Sequence, residues 1–230
     1  MQKVALISGA SQGIGAGLVQ AYRARGFSVV ATARSLGASQ DEQVLAVPGD
    51  IRLRETALNI VAAAKARFGR IDSLVNNAGV LVAKPFVSYT EADFDQVMGV
   101  NVAGFFHLTQ QVALEMIAQR AGHIVNITAG IADQPRASTP AALASLSKGG
   151  IAAATKGLAI EFAGRGIRVN AVAPGLVRTP MHPDDLPNAQ PLGRMAEVKD
   201  ITDAVLFLEF APLVTGETIH VDGGLHAGRA

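Results

Sequence analysis

The feature that most limits what this chain can fold into is the regular alternation of short aliphatic runs with longer amphipathic stretches. The short runs are rich in Val and Ile and have the length of single strands, whereas the longer stretches carry apolar residues at helical spacing. Repetition of strand, helix and strand requires parallel pairing with right-handed crossovers. The sequence therefore predicts an α/β fold with a doubly wound parallel sheet, built as a single domain over residues 1–230.

The predicted elements follow one another through short connections. Strands are expected near 4–8, 27–32, 43–47, 71–75, 122–127, 166–172 and 217–221. Helices are expected near 13–25, 52–67, 95–119, 141–164 and 197–209. The passage 174–193 holds five prolines and cannot form a continuous helix, so we interpret it as a mobile loop over a site.

The composition suits aliphatic strands buried between two helical layers, and it excludes several kinds of function. Apolar residues make up 49% of the chain and charged residues only 17%, which argues against disorder. A net charge of +1 provides no field that would attract nucleic acid or an anionic membrane. The absence of cysteine excludes disulfides and thiolate chemistry, and it is compatible with a reducing cytoplasm.

No segment predicts export or membrane insertion. The apolar run that begins at Val4 meets Gly9 too soon to form the core of a signal peptide. No uninterrupted apolar stretch approaches the roughly 20 residues that a membrane-spanning helix needs. We therefore expect a soluble, cytoplasmic protein that binds neither nucleic acid nor membrane.

Glycines mark the turn between the first strand and the first helix. Glycine permits a tight turn and lets backbone amides approach a pyrophosphate at the positive end of the helix. A plain Gly-rich turn is the alternative interpretation of this motif when it is taken alone. The residues expected to contact the phosphates are Gly9, Ser11, Gln12, Gly13, Ile14 and Gly15.

The end of the second strand indicates which dinucleotide is bound. Sites for NAD usually place a carboxylate here, where it binds the adenosine ribose, but this chain has Ala33 and Arg34. Arg34 could pair bidentately with a 2′-phosphate and stack on the adenine. The sequence therefore predicts NADP(H) rather than NAD(H), and a solvated surface arginine is the alternative.

Two further segments follow predicted strands and complete the expected cofactor site. Asp50, followed by Ile51, is placed to accept a hydrogen bond from the adenine amino group, or to cap the helix that begins around Arg52. The segment that contains Asn77, Ala78 and Gly79 leaves room for a ribose and offers polar groups beside it. Turn chemistry alone would also favour such residues.

Taken in order, these motifs resemble those of the single-domain short-chain dehydrogenases/reductases, and the resemblance covers essentially the whole chain. The matching segments are Gly9, Gly13 and Gly15; Asp50; 76–79; 101–104; Ser147 and Lys148; 168–175; and 221–224. The resemblance implies a Rossmann-type fold and an oxidoreductase acting on a small carbonyl or alcohol. It also implies that Lys148 holds the nicotinamide ribose and that Asn101 shapes the proton-relay helix. The nicotinamide would be bordered by Pro174, Gly175 and Val177.

The resemblance breaks at the groups that exchange a proton with the substrate. Members of the family are similar in placing a tyrosine one helical turn before the lysine, and counting back from Lys148 gives Ala144. The serine that helps to polarise the carbonyl would end the fifth strand, where the alignment places Ala129. Thr128 precedes it and is retained as a catalytic candidate together with Lys148 and Asn101, although strand alternation points its side chain away.

Several readings of this incomplete relay stay open. The candidates for a substitute proton donor are Lys148 itself, a water that it orders, and a serine of the same helix, Ser145 or Ser147. His107 and Asp133 are further candidates, and His107 is also explained as a packed or interface histidine. One rival function is a non-catalytic NADP(H)-binding protein that acts as a partner subunit or sensor. Another is an enzyme of changed chemistry, such as an isomerase.

Assembly and metal binding complete the expectations. The helices at 95–119 and 141–164 carry wider apolar faces than one sheet contact would use, which predicts self-association. The resemblance implies a homodimer formed by these helices, or a homotetramer with added contacts near the last strand. No metal is expected, because hydration accounts for His182, Asp184 and Asp185 in the Pro-rich loop.

Overall fold

A computed structural model describes residues 2–135, 137–182 and 190–228. The strands are β1 Val4–Ser8, β2 Ser28–Thr32, β3 Val44–Ala46, β4 Ser73–Asn76, β5 Gly122–Ile127, β6 Ile167–Pro174 and β7 Thr218–Val221. The helices are α1 Gly13–Ala24, α2 Arg54–Phe68, α3 Glu91–Val97, α4 Gly104–Gln119, α5 Ala142–Ala163 and α6 Val198–Phe210. A π-helical turn, Met98–Ala103, joins α3 to α4.

The strands form one parallel sheet in the order β3-β2-β1-β4-β5-β6-β7. The order reverses between β1 and β4, and in open α/β sheets ligands bind beyond the carboxyl ends of the strands at such a reversal. The predicted doubly wound sheet is therefore confirmed, and all seven predicted strands are present within about two residues. Because all the strands are parallel, their carboxyl ends lie along one edge of the sheet. The candidate site residues lie at this carboxyl edge.

The predicted helix at 95–119 is wrong in its start and in its continuity. The helical segment begins at Glu91, because Thr90 and Asp93 form a reciprocal capping box. The π turn then inserts one wider turn before α4, so the apolar pattern on its two sides is out of phase. The prediction missed the cap because the apolar periodicity is stronger after residue 95.

Two apolar clusters hold the helical layers against the sheet. Strand residues such as Leu6 and Ile124 face α2, α4 and α5, whereas their neighbours Ile7 and Val125 face α1 and α6. Both faces of the sheet are therefore buried, as the near-continuous aliphatic strands require. Within the part of the chain that the structure describes, no helix is both long and apolar enough to span a membrane.

Buried polar side chains connect the central strands to the two helices that lead to the site. The amide of Asn76, at the end of β4, donates to Thr109 of α4 and to Asn126 of β5, both at 2.9 Å. Asn126 in turn donates to Thr155 of α5 at 2.9 Å. Lys148 lies two turns before Thr155 on the same helix face. This chain of bonds therefore fixes α5 and α4 relative to the strand ends.

Replacing Asn126 by Ala should lower the stability of the whole fold. The change removes two buried hydrogen bonds and leaves the Thr155 hydroxyl without its donor, which costs about 2–3 kcal/mol in the free energy of unfolding. For a domain of this size, the melting temperature should fall by roughly 4–12 °C. Thermal unfolding followed by circular dichroism measures it. Asn59→Ala, at an exposed position, is the control and should change the free energy of unfolding by no more than about 0.5 kcal/mol. Equal effects of the two changes would contradict the role of these buried hydrogen bonds.

Candidate functional site

The turn after β1 packs backbone directly against backbone. Gly9 has a φ of +66°, and a Cβ there would lie 2.8 Å from the Cα of Ala78. A Cβ at Gly15 would overlap the carbonyl oxygen of Gly9. Both positions therefore require glycine, and the turn is compact enough for a ligand to reach the amides at the start of α1.

The start of α1 is suited to an anion. Its N-cap residue is Gln12, whose side chain makes no capping hydrogen bond, and its first turn contains no acidic residue. Ser11 and Gln12 are exposed, whereas Ile14 packs towards the apolar layer. Gly13 has a φ of +54° and lies against Thr179. Uncapped amides at the positive end of a helix dipole bind phosphate groups, so this turn fits a pyrophosphate.

Ser8 organises this region, although the sequence motif gave it no role. Its hydroxyl oxygen accepts hydrogen bonds from the backbone amides of Asn77 and Ala78, both at 3.1 Å. The side-chain amide of Asn77 donates to the carbonyls of Ser8 at 2.9 Å and Gly9 at 3.2 Å. The predicted residues Asn77 and Ala78 are thus held against the glycine turn. A polar residue closing a wholly aliphatic strand is the signal that could have identified Ser8.

Lys148 and Asn101 both lie beside Gly79, just after the carboxyl end of β4. The Lys148 ammonium donates to the carbonyl oxygen of Ile127 at 2.6 Å. A Cβ at Gly79 would lie 3.0 Å from Lys148 Nζ and 3.4 Å from Asn101 Oδ1. The sequence placed these three residues at one site, and the structure brings them together. Burial lowers the pKa of Lys148 to about 8.

Asn101 lies in the π turn and clamps the segment that follows β4. Its Oδ1 accepts a hydrogen bond from the Val80 amide at 2.9 Å, and its Nδ2 donates to the Val80 carbonyl at 3.1 Å. The same Nδ2 donates to the Ser147 hydroxyl at 3.0 Å. π turns occur frequently at functional sites, and this one turns Asn101 inward between α5 and β4.

Ala144 lies one turn before Lys148, and the hydroxyl groups of Ser145, Ser147 and Thr128 all donate to backbone carbonyls. Ala144 is buried, and its carbonyl accepts the Ser147 hydroxyl at 3.2 Å. The Ser145 hydroxyl donates to the Ile131 carbonyl at 3.1 Å. The Thr128 hydroxyl donates to the Val172 carbonyl at 3.1 Å, as the alternation of side chains along β5 predicted. Ala129, which follows Thr128, carries no polar group.

Arg34 and Asp50 close the other end of the edge, beyond β2 and β3. Arg34 is exposed. Asp50 accepts the guanidinium of Arg52 at 2.6 Å, and mainly this bond, with a small contribution from Arg34, lowers the pKa of Asp50. Asp50 also accepts the Arg52 amide at 3.0 Å. The capping interpretation is wrong, because α2 begins at Arg54 with Leu53 as its N-cap. The adenine-binding role of Asp50 stays a prediction.

The side chain of Ile51, the residue after Asp50, packs in the interior of the protein. It is buried against Gly104, where any Cβ would overlap its side chain. Ile51 therefore fixes the start of α4, just after the π turn that carries Asn101. Its predicted place beside the cofactor is untested by these contacts.

Pro174, Gly175 and Val177 follow β6 at the same edge. The Gly175 amide donates to the Val221 carbonyl at 3.0 Å, and Val177 is buried in a bridge with Ala196. A Cβ at Gly175 would lie 2.5 Å from the side chain oxygen of Gln190, which is buried without a hydrogen-bond donor in the described structure. Sequence reasoning missed Gln190 because the Pro-rich loop contains no recognisable motif. Residues 183–189 of that loop lie outside the described part.

Asp133 is engaged in a cluster that the sequence did not reveal. It lies 2.9 Å from His220 Nε2, and the ring of His220 stacks on that of His226 at 4.1 Å. His226 Nδ1 is 3.0 Å from Asp222, and the Gln134 amide donates to the His226 carbonyl at 3.0 Å. The turn after β5 is thus tied to the segment after β7.

The remaining candidates do not converge on the site. His107 lies in a surface groove beside Phe106 and Met98, and its Nδ1 is buried without a hydrogen-bond partner in the described structure. Among the described residues, no group of three or more His, Asp or Glu side chains could hold a metal ion. Asp184 and Asp185 lie outside the described residues.

The fold and the carboxyl edge of the sheet together give a doubly wound α/β scaffold, with a glycine turn at the start of α1 and a lysine–asparagine pair on the same edge. The chain belongs to the short-chain dehydrogenase/reductase family. A family profile described as enoyl-(acyl carrier protein) reductase matches residues 9–226. The 3-oxoacyl-(acyl-carrier-protein) reductase FabG of Thermotoga maritima is 38% identical over 97% of each chain.

Solved structures agree with this assignment. A 3-ketoacyl-(acyl-carrier-protein) reductase from Brucella melitensis, complexed with NADH, superposes with a TM-score of 0.91 and 32% identity, over 97% of this chain and 98% of its own. ElxO with NADP bound superposes with a TM-score of 0.91 and 26% identity, over 99% of this chain and 100% of its own. An ElxO variant in which a tyrosine is replaced by phenylalanine contains NADPH and superposes equally well.

Substituting Gly15 by Ala should disrupt the turn at the start of α1. The added methyl group overlaps the Gly9 carbonyl, so α1 must shift away from β1, at a cost of about 2–3 kcal/mol. Gly37→Ala is the control, because Gly37 is exposed between β2 and β3 and nothing lies within 4 Å of its Cβ position. That change should stay within about 0.5 kcal/mol. Urea denaturation compares the two, and a stable Gly15→Ala protein would contradict the close approach.

Proposed function

We propose that this chain is an NADP(H)-dependent oxidoreductase acting on a small carbonyl or alcohol, with an incomplete proton relay. The observation that carries the proposal is the uncapped start of α1, placed on the same sheet edge as Lys148 and Asn101. An anion site and a buried amine beside it suit a dinucleotide whose phosphates bind at one end and whose reactive ring lies at the other. The named reductases among the relatives support an enzyme over a non-catalytic binding protein.

Each residue of the edge has a distinct part in the proposed reaction. Bound NADPH supplies a hydride to the carbonyl carbon of the substrate. The amides after Gly9 hold the pyrophosphate, Lys148 holds the nicotinamide ribose, and Asn101 keeps the Val80 segment against α5. Pro174, Gly175 and Val177 border the nicotinamide. Ala144 and Ala129 stand where the family resemblance places the tyrosine and the serine, so the acid–base set is reduced.

The ElxO structures bear on whether a missing phenol hydroxyl prevents cofactor binding. That protein holds NADPH when a tyrosine is replaced by phenylalanine. We propose that the cofactor site of this chain is likewise intact with Ala144. Loss of a general acid lowers the rate by about 10²–10⁴, while orientation of the reactants still contributes. We therefore expect cofactor binding of ordinary strength and a slow chemical step.

Arg34 sets the proposed preference for NADP(H). It is exposed at the end of β2, near Asp50, whose carboxylate is neutralised by Arg52 and so does not repel a phosphate strongly. The Arg34 guanidinium is left to pair with a 2′-phosphate. NADPH should therefore bind more tightly than NADH.

The change Arg34→Asp should narrow or reverse this preference. Loss of a charge-assisted bond and introduction of a like charge should weaken NADPH binding by roughly 10–100-fold and leave NADH binding little changed. Titration by the fluorescence of the reduced nicotinamide gives both affinities. Arg165→Asp, at the opposite edge of the sheet, is the control and should change neither. Equal affinities for the two cofactors in the unmodified protein would contradict the proposed role of Arg34.

We also propose that the protein is a homodimer or homotetramer. Large apolar side chains remain exposed on the two helices that the sequence selected: Phe106 and Leu114 on α4, and Leu146 and Ile160 on α5. Ile160 is 81% exposed, which is unusual for an isoleucine in a helix of a monomer. A second copy that packs on α4 and α5 would cover these residues.

The change Ile160→Asp should shift the protein towards the monomer, because it would bury a charge in the proposed helix interface. Sedimentation velocity at micromolar concentration should give a dimer or tetramer for the unmodified protein. Val87→Asp, at a residue that is even more exposed but lies before α3, is the control and should leave the assembly unchanged. A monomeric unmodified protein would rule out the proposed assembly.

A further inference from the structure

Among the described residues, the ammonium group of Lys148 donates fewer hydrogen bonds than its three protons allow. Its Nζ donates one hydrogen bond, to the Ile127 carbonyl, and an ammonium has three protons to donate. Asn101 Oδ1 lies close to it across Gly79 but already accepts the Val80 amide. Among the described residues, no carboxylate lies within ion-pair distance of Lys148. The amine is therefore a buried donor with unused capacity, at the edge where the substrate must bind.

Three hydroxyl groups of the neighbouring segments already donate hydrogen bonds. Ser147, Ser145 and Thr128 each donate to a backbone carbonyl, of Ala144, Ile131 and Val172 respectively. Neither tyrosine can substitute. The Tyr89 hydroxyl donates to the Val82 carbonyl at 2.9 Å, and Tyr22 is buried against Glu209 at the opposite edge of the sheet. None of these five hydroxyl groups is therefore a free proton donor.

The surroundings of the amine also tune it for proton transfer. The end of β5, the segment after β4 and the π turn face it with Ile127, Gly79 and Asn101, none of which titrates. No charged group of the described residues adds to the effect of burial, which alone lowers the pKa of Lys148 to about 8. A group with a pKa near the working pH is an effective acid and can be reprotonated by water.

We propose that Lys148 is itself the general acid of this protein and protonates the carbonyl oxygen of the substrate directly, since Ala144 occupies the position of the family's tyrosine. The proposal rests on the proposed function, with reduced nicotinamide as the reductant. As the carbonyl carbon accepts a hydride, the π electron pair moves onto oxygen. The Nζ–H bond breaks and an O–H bond forms. Lys148 remains as a neutral amine, which regains its proton from solvent.

The proposal fixes the direction of the pH dependence. Carbonyl reduction requires the ammonium form, so its rate falls as pH rises through the pKa of Lys148. Alcohol oxidation requires the neutral amine, so its rate rises through the same pKa. A lysine that only holds the ribose through its charge would also lose that charge on deprotonation, but the loss would appear in cofactor affinity and would disappear at saturating NADPH.

The titration of Lys148 can be measured without any turnover. Protein labelled with ¹³C at the lysine ε-carbons has six such signals, and the one absent from Lys148→Arg belongs to Lys148. We expect this signal to titrate near pH 8 in the cofactor-free protein. Single-turnover reduction of a small diketone at saturating NADPH should fall with the same midpoint. A Lys148 signal that titrates with the other lysines, or a rate that is constant through pH 8, would overturn the proposal.

Variants separate proton donation from ribose binding. Lys148→Arg keeps the charge but does not release a proton in this range, so the single-turnover rate should fall by about 10²–10³ at saturating NADPH. Lys156→Arg, two turns further along α5 and exposed, is the control and should leave the rate unchanged. In an Ala144→Tyr background the added phenol can donate the proton, so the effect of Lys148→Arg should shrink at least tenfold. Equal losses in both backgrounds would show that Lys148 acts only in binding.

Failure of the proposed function has a different signature. If NADPH does not bind to the unmodified protein, both proposals fall. If NADPH binds and the rate is indifferent to pH and to Lys148→Arg, only the acid role of Lys148 falls. Should Ala144→Tyr not fold because position 144 is buried, the titration and the pH profile of the unmodified protein still decide the matter.

Discussion

The structure depends on a buried chain of hydrogen bonds between amides and hydroxyls that runs through the centre of the fold. Asn76 and Asn126 face each other across β4 and β5 and bind Thr109 and Thr155 on the adjoining helices. Apolar packing would allow the helices to slide along the sheet, whereas directional bonds allow one register only. The positions of Asn101 and Lys148 follow from that register, because each lies a few turns from a bonded threonine.

The carboxyl edge separates two tasks that are usually discussed together. Phosphate binding relies on backbone groups and needs glycine, so it is preserved wherever the β1–α1 turn closes. Proton transfer relies on side chains and can change one residue at a time. In this chain Gly9 and Gly15 allow the turn between β1 and α1 to close, while the proposed proton transfer depends on the buried amine of Lys148, whose pKa is lowered to about 8 by burial. Binding and chemistry that change independently of each other are a natural outcome of such a division.

Sequence reasoning predicted the sheet, the strand bounds and the grouping of Gly79, Asn101 and Lys148, because periodicity and strand ends are local signals with a fixed spatial meaning. It failed in two situations: where single residues decide the local structure, and where the decisive partner is distant in the chain. The π turn and the capping box at Thr90 depend on single residues that periodicity averages away. The engagement of Asp133 with β7 depends on a tertiary neighbour that no motif specifies.

The stacked pair His220 and His226 means that the last described residues return to the reactive end of the protein. The turn at 225–227 holds the loop after β5 through Gln134, a few residues from Ala129. By contrast, β1 starts at the opposite edge of the sheet. The segment at 225–227 and the loop that follows β5 are therefore mechanically coupled, whereas the start of β1 lies a full strand length from both.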